Sequence, residues 1–208
     1  MNYGLAYRVG FHPWEDAADQ PGFVDELSRL LAEEEAGRQP PRGRALDVGT
    51  GSAVWAVWLA RRGWQVSGVD VVAKALQRAR ERTAQAGVEV QLLHSDVADL
   101  AAAGLAAGYR LILDTGTFHG LGDEQRTAMG REIDAIAGDE ATVLMLAWAP
   151  RRRGPLPRGA SKQEIERAFP GWTVSEVGPT GFKAPAPVEV LFKPAERWYR
   201  LRRRVATG

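Results

Sequence analysis

The sequence contains no cysteine, which removes disulfides, thiolate metal ligands and cysteine nucleophiles together. No run approaches the ~20 apolar residues that span a bilayer, and no apolar stretch of signal-peptide length precedes the acidic Glu15. Charge of one sign is scarce too: 27 Lys and Arg against 26 Asp and Glu leave a formal charge of +1. The chain as a whole therefore projects no strong field toward nucleic acid or an anionic membrane. The basic clusters Arg151 to Arg153 and Arg200, Arg202, Arg203 and Arg204 flank apolar strand candidates and read as solvated ends. Histidine is rare, and His12 and His94 have no partner at ligand spacing, so no metal site is expected. These absences point to a soluble, cytoplasmic protein without nucleic acid or membrane as partner.

What is present is ordinary globular sequence, with 45% hydrophobic and 25% charged residues. At 208 residues the chain fits one α/β domain, read as an N-terminal lid and helix over 1–42 and a core over 43–208. Short runs rich in Val, Leu and Ile recur at Ala45 to Val48, Trp64 to Val69, Val88 to Leu93, Leu111 to Leu113 and Ala141 to Ala147. Their composition predicts strands buried on both faces. Helical spacing lies between them, as in Val54, Trp55, Trp58 and Leu59 and in Met129, Ile133 and Ile136. Such alternation predicts βαβ units and a parallel sheet. Phe23, Val24, Leu27, Leu30 and Leu31 place an extra helix before the first strand, and Ser161 with Glu164 reads as a capping box for a late helix. Trp172 to Val177 and Trp198 to Leu201 follow as an antiparallel edge pair joined through Pro185 to Pro187.

The chemistry concentrates in Ala45-Leu-Asp-Val-Gly-Thr-Gly-Ser-Ala53, an apolar strand running into a glycine turn and a helix. Gly49 and Gly51 can take backbone angles closed to other residues and let a ligand approach the main chain. Asp47 can accept a hydrogen bond or face a cation. Asp70 closes the second strand at about the 20-residue separation at which an acid meets ribose hydroxyls. A dinucleotide fingerprint would place a third glycine where Val54 stands, and Asp47 would repel a pyrophosphate. A phosphate-free cofactor carrying an ammonium or sulfonium fits better, and S-adenosylmethionine meets that description.

These residues resemble the class I methyltransferase superfamily, whose first motif is E/D-x-G-x-G and whose second is an acid closing the second strand. The likeness narrows at Pro13-Trp-Glu-Asp-Ala-Ala-Asp-Gln-Pro-Gly-Phe23, which resembles the P-W-D-x-G-x-P-Q-P-x-[FL] segment of the thiopurine, thiol and halide methyltransferases. Asp114-Thr-Gly-Thr-Phe-His119 resembles the same branch's D-x-G-x-F-H, while Glu15, Ala17 and Asp19 depart from its pattern. The resemblance implies a Rossmann-like α/β fold: a seven-stranded sheet ordered 3-2-1-4-5-7-6, strand seven antiparallel, helices on both faces and an N-terminal helical lid. It implies S-adenosyl-L-methionine as cofactor, contacted by Trp14, Asp47, Gly49, Thr50, Gly51, Ser52, Ala53, Asp70, Val71, Ser95, Asp96, Val97, Asp114 and Thr115. Within that set Asp70 would hold the ribose and Asp96 the adenine amine, although Asp96 also suits a simple N-cap. Trp14 suits either a lid over the cofactor or an anchor for the N-terminal helix.

The acceptor implied is a small aromatic or heterocyclic molecule bearing a thiol, hydroxyl or ring nitrogen, met by a monomer or homodimer. Tyr3, Tyr7, Thr117 and His119 are the candidate substrate contacts. His119 is the candidate catalytic base, because imidazole accepts a proton near neutral pH, and a satisfied loop histidine is the competing reading. Two other functions stand beside methyl transfer. A nicotinamide dehydrogenase is disfavoured by Val54 and by the lack of a Tyr-x-x-x-Lys set, and a non-catalytic cofactor-binding protein of the same fold stays open.

Overall fold

In a computed structural model the described residues are 16–150, 157–182 and 195–204. The apolar runs form β1 (Arg44–Val48), β2 (Gln65–Asp70), β3 (Val90–His94), β4 (Tyr109–Asp114) and β5 (Ala137–Trp148), followed by β6 (Trp172–Pro179) and β7 (Glu196–Arg203). They make one seven-stranded sheet in the order β3-β2-β1-β4-β5-β7-β6. β1 to β5 pair in parallel, and β7 runs antiparallel to both β5 and β6.

Strand alternation sorts the side chains into a core on each face. Ala45, Leu111, Leu113, Leu144 and Leu146 pack with Phe23, Leu27, Trp55 and Leu59 from α1 (Pro21–Glu35) and α2 (Val54–Arg61), and with Ala79 of α3 (Ala73–Ala86). Their neighbours Leu46, Val48, Ile112, Val143 and Met145 turn the other way. They meet Met129 and Ile133 of α4 (Asp123–Ile136) and Ile165 of α5 (Lys162–Ala168). A strand apolar at every position is therefore what a sheet covered on both sides requires.

Local signals set the helix ends. Pro21 opens α1, where its missing N–H costs nothing. The Ser161 hydroxyl accepts from the Glu164 N–H at 3.2 Å, and the Glu164 carboxylate accepts from the Ser161 N–H at 2.7 Å. Arg200 of β7 straps α1 to the sheet, donating to the Leu30 carbonyl at 3.0 Å and pairing with Glu33 at 2.5 Å.

Three expectations are corrected. Arg200, grouped with the solvated strand ends in the sequence, is buried because its guanidinium reaches the Leu30 carbonyl and the Glu33 and Glu34 carboxylates of α1. β3 is only half-buried, because it forms the sheet edge and has a single strand neighbour. The crossover from β3 to β4 contains turns and no helix, so Asp96 caps a turn instead. Gly104, at φ +80, interrupts the alanine run there with a left-handed residue. The connection through Pro185 to Pro187 and the cluster Arg151 to Arg153 lie outside the described residues.

Candidate cofactor and acceptor site

β1 is the strand from which the sheet grows in both directions, first to β2 and β3 and then to β4 and β5. In such sheets a crevice opens beyond the carboxyl ends of the strands at that switch point. Register brings the ends together: Val48 pairs with Val69 on one side and Asp114 on the other, and Asp70 pairs with His94. The predicted residues of all four strands therefore share one edge.

The turn leaving β1 has an unusual backbone. Gly49, Gly51 and Ala53 all have positive φ, at 66°, 55° and 63°. Ala53 is the one non-glycine residue with positive φ among the described residues, and it is fully buried. Strain of this kind persists where surrounding structure over-determines it, typically at ligand sites. The Thr50 N–H donates to the Val69 carbonyl at 2.9 Å and the Ala53 N–H to the Thr50 carbonyl at 2.8 Å, which ties the turn to β2. A Cβ on Gly49 would stand 2.0 Å from the Thr117 hydroxyl. The glycine is thus required by close approach as well as by φ.

Three carboxylates converge there. Asp47 is 1% exposed; its Oδ2 accepts from the Thr50 hydroxyl at 2.7 Å, and its buried Oδ1 has no hydrogen-bond partner among the described residues. Burial pushes its carboxyl up to about 7, and Asp70 and Asp114 add to the rise. The Thr50 hydroxyl and the Ala56 N–H in the first turn of α2 oppose it. Asp70 accepts from the Gly51 N–H at 2.9 Å and the Val72 N–H at 2.7 Å, and burial raises its carboxyl against the pull of those amides. A carboxylate has about four lone-pair sites, so Asp70 retains capacity for a hydroxyl donor. Asp114 differs: Gly116, Thr117 and Phe118 donate their N–H groups to its two oxygens at 2.8, 2.6 and 2.9 Å. Burial pushes it up to about 6 while those amides pull it down. Asp114 therefore shapes its own loop.

The other predicted cofactor residues spread along the same edge. Val71 is 51% exposed, the exposed large hydrophobic side chain among the described residues. Ser52 is buried and held from α3, where Arg82 donates to its carbonyl at 2.9 Å and its hydroxyl at 3.2 Å. Ser95 bonds the carbonyls of Asp96 and Asp99, while exposed Asp96 accepts from the Ala98 N–H at 2.9 Å and Val97 is buried in the core. Thr115 is half-buried beside them. His94 is exposed and bonds the Val71 carbonyl at 2.9 Å.

On the β4 side, Thr117 donates to the Val48 carbonyl at 3.1 Å, locking the post-β4 loop onto β1. His119 is fully buried, and its Nδ1 accepts from the Trp148 N–H at 3.2 Å with the indole ring 5.4 Å away. The neutral imidazole then carries its proton on Nε2, and Nδ1 is committed to the main chain. This geometry favours the positioned loop histidine over an open base. Trp14, Tyr3, Tyr7 and His12 lie outside the described residues. Sequence reasoning missed Arg126, which is buried between these loops. Its spacing of three from Met129 and seven from Ile133 marks it as facing the core.

Among the described residues no group of His, Asp and Glu could hold a metal, and no helix is long and apolar enough to cross a membrane. A doubly wound sheet with a strained glycine turn at its switch point and an acid closing the next strand defines a nucleoside-cofactor protein. The comparisons narrow the class. A family model described as a methyltransferase domain matches residues 45–137. The chain is 30% identical over 174 residues to the 2-heptyl-1-hydroxyquinolin-4(1H)-one methyltransferase of Mycobacteroides abscessus, covering 80% of this chain and 71% of that one. It is 37% identical over 89 residues to the ribosomal RNA small subunit methyltransferase C of Alcanivorax borkumensis, a match spanning 40% of this chain and only 27% of that protein. The N-methyltransferase NodS of Bradyrhizobium japonicum, solved with S-adenosyl-L-homocysteine, shares the fold at a TM-score of 0.67 with 15% identity, over 90% of each chain.

The chain belongs to the class I S-adenosylmethionine-dependent methyltransferases, and S-adenosylmethionine is its cofactor. The residues present fit that molecule. The Asp47 oxygen without a partner among the described residues offers a counter-charge, Gly49 has no room for a Cβ, and Asp70 keeps lone pairs beside the exposed Val71.

Proposed function

We propose that the chain transfers a methyl group to a thiol, hydroxyl or ring nitrogen of a small aromatic or heterocyclic molecule. The observation that carries this reading is the Gly49–Ala53 turn closed between Asp47 and Asp70, with one buried Asp47 oxygen left without a partner among the described residues. When bound, S-adenosylmethionine would supply an electrophilic methyl group on a sulfonium, and the neutral thioether left as the C–S bond breaks would be the leaving group.

The protein's own task is to orient and to exclude water. The main chain of Gly49 to Ala53 cradles the amino-acid end, and Asp47 balances positive charge. Asp70 would accept from the ribose hydroxyls, Val71 and Val97 would border the adenine, and Asp96 would receive its exocyclic amine. Asp114 holds the post-β4 loop through its three amides, so that Thr115 and Thr117 border the acceptor. His119 holds that loop to β5. The relative named for a hydroxyquinolone supports a heterocyclic acceptor.

The test is transfer of a labelled methyl group to a panel of thiols, phenols, hydroxylated heterocycles and ring nitrogens. Turnover on one class assigns the acceptor atom, and none across the panel, with the cofactor bound, contradicts the small-molecule reading. An RNA acceptor is the second reading, favoured by the ribosomal RNA methyltransferase among the relatives. Transfer to RNA that falls steeply as salt rises would select it.

A further inference from the structure

The proposed function leaves a buried cation beside the acceptor loops without a role. Arg126, on the inner face of α4, is 2% exposed. Its Nε–H donates to the Phe118 carbonyl at 3.1 Å, and Nη2 donates to the carbonyls of His119 at 3.2 Å and Gly159 at 2.5 Å. Nη1 pairs with Glu164 of α5 at 3.0 Å, and the guanidinium lies 4.9 Å from the centre of the Phe118 ring. Desolvating a guanidinium is costly until its partners offset it, so a helix needing only an apolar contact would carry leucine there.

The three carbonyls come from two segments far apart in sequence. Phe118 and His119 follow β4 and Gly159 follows β5, and on the methyl-transfer reading those strand ends flank the place where an acceptor would meet the methyl group. The second segment is shaped for the clamp: Gly159 has φ +83°, its Cβ would stand 2.4 Å from the Ala149 carbonyl, and the next N–H, of Ala160, donates to the Trp148 carbonyl at 2.8 Å. The clamp touches neither the Gly49–Ala53 turn nor Asp70.

We propose that Arg126 is a positioning residue for the acceptor, its planar fork fixing the spacing of the post-β4 and post-β5 segments and hence the width of the acceptor pocket. The proposal rests on the methyl-transfer reading above. Lysine cannot replace it, because an ammonium lacks the rigid spread of five donors that reaches three carbonyls and a carboxylate at once.

The experiment compares full-length wild type, Arg126→Lys and Arg126→Met in cofactor affinity by calorimetry, in acceptor KM and kcat, and in amide exchange over 116–120, 158–161 and 49–53. The expected result for Arg126→Lys is cofactor affinity within about twofold of wild type, with acceptor kcat/KM lower by about tenfold or more. Exchange is expected to speed in the first two segments only. Unchanged acceptor kinetics in Arg126→Lys overturn the proposal. So does a parallel loss of cofactor affinity and exchange protection in all three segments, which would mark a general packing role, and so does failure of both variants to fold. If wild type methylates no acceptor at all, the methyl-transfer reading falls by itself. The exchange data then decide the clamp, and unchanged protection in the two segments overturns it.

Discussion

The two halves of the candidate site handle their polar groups in opposite ways. Around the β1 turn, Asp47 keeps a buried oxygen without a partner among the described residues, Asp70 uses only part of its acceptor capacity, and Val71 stands exposed. Beyond β4, Asp114 accepts from three amides, Thr117 donates to Val48, His119 accepts from Trp148, and Arg126 engages three carbonyls. The first half holds groups in reserve for a ligand of fixed structure. The second commits its groups to loop shape, so on the proposed reading an acceptor would be selected by the outline of its site more than by free donors and acceptors. This is the division expected where one cofactor serves a fold whose acceptors vary.

The sharpest way to break the comparison is at the point where the halves touch. Gly49→Ala adds a carbon 2.0 Å from the Thr117 hydroxyl at a φ of +66°. The expected result is loss of measurable cofactor binding and about 2 kcal/mol or more of stability, read by calorimetry and denaturant unfolding. The double variant Gly49→Ala/Thr117→Ala recovers the steric part and leaves the backbone cost. Next in size, Asp114→Ala strips the acceptors from three buried amides and lowers unfolding stability by about 2 kcal/mol. It is expected to raise acceptor KM more than it weakens cofactor affinity.

Asp47 sharpens the contrast through pH. Its folded carboxyl is held at about 7 against an ordinary 3.8, so between those values the native state binds the extra proton. Stability attributable to Asp47 therefore declines as pH rises through that window. Asp47→Asn should raise stability at pH 8 by about 1–2 kcal/mol in chemical unfolding. A cationic cofactor favours the carboxylate, so wild-type affinity should fall as pH drops below about 7. Asp47→Asn should flatten that dependence and bind more weakly at pH 8. The smallest effect is expected at exposed Asp96, where alanine weakens cofactor binding by about threefold to tenfold with little change in unfolding midpoint.

The cofactor half was legible in the sequence because its signal is local: an apolar strand, two glycines and two acids at fixed separation. Each residue type follows from one backbone turn. The full strand order came only with the family resemblance, since β6 and β7 carry no motif of their own. The acceptor half was legible in outline and hidden in detail, because its bonds join distant residues. Nothing in the local sequence reveals that the Trp148 N–H faces the His119 ring, or that Asp114 turns back on its own loop. Arg126 was missed because arginine on a helix normally faces solvent, and only its phase with Met129 and Ile133 says otherwise. β3 was read as fully buried because apolar composition does not distinguish an edge strand from a central one.

The most direct test of the central claim is calorimetric titration of wild type and Asp70→Ala with S-adenosylmethionine. The account predicts one cofactor per chain for wild type and affinity weaker by about a hundredfold in the variant, equivalent to about 2.7 kcal/mol. No binding by wild type, or equal affinity in Asp70→Ala, would contradict a cofactor site built on the Gly49 turn and the acid that closes β2.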